Sequence, residues 1–276
     1  MSYIDYQVDG AVAVISLNRP EKRNAQDESM LQDLDAAWQR AAIDDDVKVI
    51  VLRANGNHFS AGHDLHTPAS GYLKEGKSTL ESAYAWETEH YFGYSRRWRD
   101  IPKPSIASVQ GACIAGALNV IWPCDLIVAA ENASFSDPVV KFGVGGIEYH
   151  AHTWELGARR AKEMLFTARA FSAAEAFDAG MVNRVVAVDE LEEKTMELAH
   201  EISQMDAWGL AMAKRAVNQT LDVMGQQAAL QSAFDIHWHG HNNALLRTGY
   251  PMLVPGAAPM QAGEARGVTP RSEDSA

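Results

Sequence analysis

Short apolar runs of strand length alternate with stretches of helical periodicity over the first two-thirds of this chain, and the last third reads as helix. That order restricts the fold more than any single residue does. Strands that alternate with helices close into α/β layers, and a helical tail then packs as an extension. Tyr3–Asp9 and Ala11–Leu17 flank Asp9-Gly10, a hairpin turn signal, and are predicted to pair. Met30, Leu31, Leu34, Trp38 and Ala41 fall at helical spacing behind Asp27, a plausible N-cap. Val47–Ala54 (VKVIVLRA) reads as a buried strand, followed by a loop over Asn55–His66. A helix is expected somewhere between Thr79 and Arg97. Further strands are expected at Ser105–Val109, Asp125–Ala129 and Val182–Val186. Further helices are expected at Ala117–Trp122, Ala158–Phe166, Ala173–Ala179, Glu190–Met205, Ala207–Val223 and Gln226–Leu246.

With 276 residues and 47% apolar composition, the chain can bury a core without staples. Its net charge of −12 argues against a nucleic-acid partner, whose binding rests on neutralising phosphates, and against a polybasic membrane-surface role. No secretory signal is read at MSYIDYQVDG. The most apolar stretch, Gly111–Ala130, is broken by Asn119, Pro123 and Asp125, which a membrane span would not choose. Cys113 and Cys124 are too few for a disulfide framework or a cysteine-rich metal module and fit a reducing compartment, so a cytoplasmic location is expected. The tail from Pro251 to Ala276, rich in Pro, Gly, Ala and Ser, is expected to be flexible or ordered only by a partner.

Three segments carry the chemistry. His58-Phe59-Ser60-Ala61-Gly62-His63-Asp64-Leu65 directly follows a strand. The second runs from Lys103 to Ala117 and ends Gly111-Ala112-Cys113-Ile114-Ala115-Gly116-Ala117. The third runs from Ala158 to Thr167 and continues into Phe171–Ala176 and Gly180-Met181-Val182. A small-residue turn after a strand lets backbone N–H groups approach a ligand, and a helix start presents unpaired N–H groups that favour negative charge. Two such groups converging on a carbonyl oxygen make an oxyanion hole. The plainer alternative is that these small residues only permit close helix–strand packing.

Together with Arg19-Pro20 and Asn24-Ala25, and in this order, the segments resemble the enoyl-CoA hydratase/isomerase (crotonase) family over roughly residues 11–190. The resemblance implies an α/β fold: a crotonase-like spiral of ββα units with a helical C-terminal trimerisation region. It divides the chain into an acyl-CoA-binding core over residues 1–190, a helical region over 191–250 and the tail over 251–276. It implies an acyl-CoA thioester as substrate, with coenzyme A entering as part of it and no cofactor held permanently. A homo-trimer or homo-hexamer is implied as the assembly. The N–H groups of Ala61 and Gly116 would hold the thioester oxygen. Lys22, Arg23, Ala25, Ala61, Asp64 and Leu65 would contact the coenzyme A portion. Lys22 and Arg23 could instead be a solvated loop, and Asp64 a structural turn residue.

Hydratases of the family use two glutamates, and both are missing here. Asn119 stands three residues after Gly116, and Val139 follows Asp137-Pro138. Neither can act as an acid or base at neutral pH. The loop Gly143–His152 offers replacements, Glu148 first, then Tyr149, His150 and His152; Asp137, before the loop, is a third candidate. Glu148 could instead cap the next helix. Asn119 could orient a water or bond a substrate carbonyl, and Trp122 is unusually large for its place. His237 and His241 share a helix face at metal-ligand spacing. However, no glutamate follows His237 and Gly240 weakens the helix, so no metal is expected and packing against a neighbouring subunit is the plainer reading. The expected reaction is enoyl-CoA hydration or isomerisation with non-standard acid/base residues. The alternatives are another thioester-enolate reaction, such as carbon–carbon bond hydrolysis, or a catalytically silent acyl-CoA binder.

Overall fold

The computed structural model describes residues 2–65, 73–74 and 77–248. The expected loop residue His66 and the tail from Pro251 lie outside the described residues. In chain order the elements are β1 (Ile4–Asp9), β2 (Val12–Leu17), α1 (Glu28–Ile43), β3 (Val49–Ala54), the two-residue strands β4 (Leu73–Lys74) and β5 (Lys77–Ser78), α2 (Leu80–Glu87) and α3 (Gly93–Arg99). Then come β6 (Ser105–Val109), β7 (Ala112–Ile114), α4 (Leu118–Ile121), β8 (Leu126–Ala130), β9 (Ser134–Ser136), α5 (His152–Thr167), β10 (Phe171–Ser172), α6 (Ala173–Asp178) and β11 (Arg184–Val186). Helices α7 (Leu191–Ser203), α8 (Ala207–Val223) and α9 (Gln226–Thr248) complete the order.

The main sheet runs β1-β2-β3-β6-β8-β11. Only the β1–β2 hairpin is antiparallel, and Ile4 faces Leu17 across it. The other four pairings are parallel. A second layer grows beside it from very short pieces: bridges Gln26–His63 and Ser60–Cys113, then β7 parallel to β9, and β9 antiparallel to β10. Each turn of the chain lays one strand in the main sheet and one short piece in the second layer, then returns through a helix. This is the ββα spiral.

Both faces of the main sheet are covered, which explains why its strands read as continuous apolar runs. Ala13, Ile15, Leu17, Ile50 and Leu52 face the larger core with Met30, Leu34 and Trp38 of α1. Val12, Val14, Val49, Val51 and Ile106 face α7 through Leu191, Leu198 and Ala199. Asp27 caps α1 by accepting the Met30 N–H at 2.9 Å. Between α2 and α3 the chain makes one π turn over Thr88–Phe92, which re-aims the side chains that follow. Helix α5 begins six residues before the expected Ala158 and bends at Gly157, whose φ of 71° is not helical. Gly240 has a packing reason: a Cβ there would come within 2.7 Å of the Gly143 oxygen, so α9 lies directly on the Gly143–Gly146 loop. Among the described residues no helix is long and apolar enough to cross a membrane.

Candidate active site

The loop after β3 is tied down by its neighbours. Arg19 Nη1 donates to Asp64 Oδ2 at 2.7 Å and to the Ala25 carbonyl at 2.8 Å. Ser60 Oγ donates to the Asn24 carbonyl at 2.7 Å and accepts the Gly62 N–H at 3.1 Å. Gly62 has φ 85°, and a Cβ on it would meet the Ile114 oxygen at 2.5 Å and the Gly116 nitrogen at 3.1 Å. Only glycine brings the two segments this close.

This geometry corrects the expectation for Ala61. Its N–H donates to the Arg23 carbonyl at 2.9 Å and is not available to a substrate oxygen. Gln26 binds the residues on both sides of His63: its N–H donates to the Gly62 carbonyl and its carbonyl accepts the Asp64 N–H, each at 2.8 Å. The His63 N–H is therefore turned to the opposite edge, where Gly116 lies. Gly116 sits in the first turn of the 3-10 segment Ala115–Ala117, where N–H groups have no intrahelical partner.

Glu148 is buried beside these amides. Asn119 Nδ2 donates to its Oε2 at 2.6 Å, and His63 Nε2 stands 3.4 Å from the same oxygen. The Asn119 Oδ1 accepts the Tyr149 N–H at 3.0 Å, which fixes the amide orientation. Glu148 does not cap α5, whose N-cap is Ala151 without a side-chain cap. Burial opposes ionisation of Glu148, but the His63 and His237 charges and the hydrogen bonds from His63 and Asn119 hold its carboxyl well below the ordinary range.

The other sequence candidates scatter. Lys22 and Arg23 are exposed, Ala25 is half-buried, and Leu65 is exposed. Asp64 is committed to Arg19 as a structural partner. His150 packs its ring where a Gly146 Cβ would be and against His152. Burial and the neighbouring His152 push its pKa down to about 4. Asp137 is fully buried, accepts the Ile147 N–H at 2.9 Å and lies 3.0 Å from His152, so it shapes the loop from inside. Trp122 fills the space against Met181 and His152.

His237 points inward, contrary to the expectation of a subunit contact. Its Nδ1 donates to the Gly146 carbonyl at 2.6 Å, and its Nε2 lies 3.6 Å from Glu87, 3.8 Å from Glu148 and 3.0 Å from His241 Nε2. Burial works against its charge, but the Glu87 hydrogen bond and the Glu148 and Glu87 charges prevail and raise its pKa to about 9. Glu87, His237 and His241 have cation-ligating atoms within 4.8 Å of one another. Sequence reasoning missed Glu87 and Tyr91. Tyr91 lies on the π turn and stacks on His63 at 4.1 Å, a position that no apolar period marks.

A two-layer ββα spiral with a glycine amide at a helix start beside a buried carboxylate defines a crotonase-type α/β enzyme that handles acyl-CoA thioesters. The family model described as enoyl-CoA hydratase/isomerase matches residues 7–254, and the chain belongs to that family. It is 41% identical over 256 residues to EchA13 of Mycobacterium tuberculosis, covering 87% of this chain and 80% of the relative. A solved probable enoyl-CoA hydratase from Mycobacterium thermoresistibile is 60% identical with TM-score 0.87, covering 91% of this chain and 99% of that one. Another from Mycobacterium smegmatis is 58% identical with TM-score 0.87, covering 92% and 100%.

Proposed function

We propose that this protein binds an enoyl-CoA thioester and hydrates or isomerises it through an enolate held by the amides of Gly116 and His63, with Glu148 supplying the carboxylate of the site. The observation that carries the reading is the placement of Glu148. The carboxylate lost at positions 119 and 139 reappears on the Gly143–His152 loop, and the Asn119 that replaced one glutamate holds it at 2.6 Å. Negative charge develops on the thioester oxygen, so fixed N–H donors there lower the barrier. Coenzyme A enters with the substrate. Lys22 and Arg23, exposed beside the loop after β3, supply positive charge for its phosphates on an acidic protein.

The test is turnover of a panel of trans-2-enoyl-CoA and trans-3-enoyl-CoA thioesters by wild type and Glu148→Gln, read from the conjugated thioester absorbance. Turnover that collapses in the variant is expected. Unchanged turnover in the variant would remove Glu148 from the chemistry. Acyl-CoA binding with no turnover of any thioester would leave a silent binder or a different enolate reaction.

A further inference from the structure

The His63 ring is built into the site more tightly than a pocket-lining side chain requires. It stacks on Tyr91 with ring centroids 4.1 Å apart and planes 14° apart. Three of its atoms lie 2.7–2.9 Å from where a Gly116 Cβ would stand, so the ring occupies the space that glycine leaves open. Its Nε2 is 3.4 Å from Glu148 Oε2, and its Nδ1 is buried with no hydrogen-bond partner among the described residues.

These contacts assign the two nitrogens. An ionised carboxylate only accepts, so Nε2 carries the hydrogen toward Glu148, and once the ring has given up its second proton the lone pair is on Nδ1. A buried acceptor without a partner is costly in the resting state and is the place for a group that the substrate brings. Asn119 and His63 both reach the same oxygen of Glu148, Oε2, and hold the carboxylate as a fixed acceptor behind the His63 ring. A carboxylate behind an imidazole fixes its tautomer and stabilises the imidazolium that forms on the far nitrogen.

We propose that His63 is the catalytic residue that exchanges protons with the bound thioester, and that Glu148 is its positioning carboxylate. The proposal rests on the acyl-CoA enolate reading above. His63 Nδ1 takes a proton from Cα of a 3-enoyl thioester. The electron pair of that C–H bond forms the bond to the carbonyl carbon, and the carbonyl pair moves onto the oxygen facing the Gly116 and His63 amides. The same nitrogen returns the proton to Cγ, the carbonyl re-forms, and the double bond ends between Cα and Cβ. No water is consumed and one carrier suffices. Hydration needs a base on water and an acid at Cα, and positions 119 and 139 offer neither. Double-bond migration is therefore the favoured reaction.

The experiment measures conversion of trans-3-enoyl-CoA and deuterium entry at Cα in D2O, with acyl-CoA affinity measured by calorimetry alongside. His63→Gln keeps the backbone amide at 63, so thioester binding is retained. Its kcat is expected to fall by ~10²-fold or more, with KM nearly unchanged. His63→Gly is expected to recover turnover with added imidazole, whereas Glu148→Gln slows without such rescue. His63→Gln within about threefold of wild type would overturn the proposal and leave the enolate reading standing. Wild type that binds acyl-CoA without proton exchange would also overturn it. Wild type that binds no acyl-CoA would bring down the enolate reading itself.

Discussion

Asn119 donates its side-chain amide to Glu148 at 2.6 Å while its own oxygen accepts the Tyr149 N–H at 3.0 Å. One residue thus orients the carboxylate and pins the backbone that carries it. Asn119→Ala would leave the Tyr149 N–H without this acceptor and Glu148 with one donor fewer. Since an unpaired buried group costs about 1–3 kcal/mol, a loss of that order is expected in urea unfolding. Asn119→Asp keeps the shape but sets two carboxylates together. It should destabilise more at pH 8 than at pH 5, where protonation relieves the repulsion.

Gly116→Ala tests the packing of the His63 ring. The backbone there has no positive φ, so alanine costs little in the fold. Its Cβ would meet His63 Cε1 and Nε2 at 2.7 Å and push the ring off Gly116. A displacement near 1 Å at a reacting group costs about 10²-fold in rate. The expected outcome is a thermal midpoint within a few degrees of wild type and kcat reduced by ~10²-fold, read in the same turnover assay.

The Arg19–Asp64 pair holds the loop that presents the His63 amide. Their contact is 2.7 Å, with side chains 10% and 7% exposed. Removing one partner strands the other charge, which costs about 3–5 kcal/mol in a buried pair. Arg19→Met should therefore destabilise more than the double variant Arg19→Met/Asp64→Leu, measured as unfolding free energy. A double loss equal to the sum of the Arg19→Met and Asp64→Leu losses would mean that the pair is not coupled.

The fold was legible where the physics is local and repeated. The buried strand β3 stands out as VIVL, and α8 spans the expected Ala207–Val223. The second layer was not legible. Its strands β7, β9 and β10 have two or three residues each, too few for a period, and they exist only because the main sheet brings their neighbours alongside. Glu148 and Asn119 stood out because the chemistry needed a carboxylate and the expected positions lacked one. Glu87 and Tyr91 carried no such mark, because a helix was expected somewhere between Thr79 and Arg97 without bounds or faces, and the π turn that carries Tyr91 has no signature in the sequence. The Ala61 amide came from the resemblance alone, and nothing in the sequence marks that the Arg23 carbonyl occupies it.

His237 gives a stability signature in alkali. Glu87, Glu148 and His241 face it, and its pKa is raised from 6.5 to about 9. A group with a raised folded pKa contributes stability that is fully present below its unfolded value and is lost as pH rises through the folded one. Unfolding free energy should fall between about pH 6.5 and 9, and His237→Gln should flatten that slope. A slope that is unchanged in the variant would place the titration elsewhere.

Helix α8 shows what the single chain leaves uncovered. Only Ala211 of its 17 residues is buried, while Trp208 is 72% exposed, Val217 62% and Val223 84%. Large apolar groups spread along one exposed helix are expected to be covered by another surface. A second and third copy of this chain are the proposed cover, since a closed ring buries the same patch on every subunit. Light scattering should give a mass near three or six times 30.2 kDa. Trp208→Glu places a charge where that cover would press and should shift the protein toward monomer without changing its far-UV circular dichroism. A monomeric wild type at micromolar concentration would rule the assembly out. If His63 and Glu148 act within one chain, a monomeric variant should then retain proton exchange at Cα, which separates the chemistry of the site from the assembly around it.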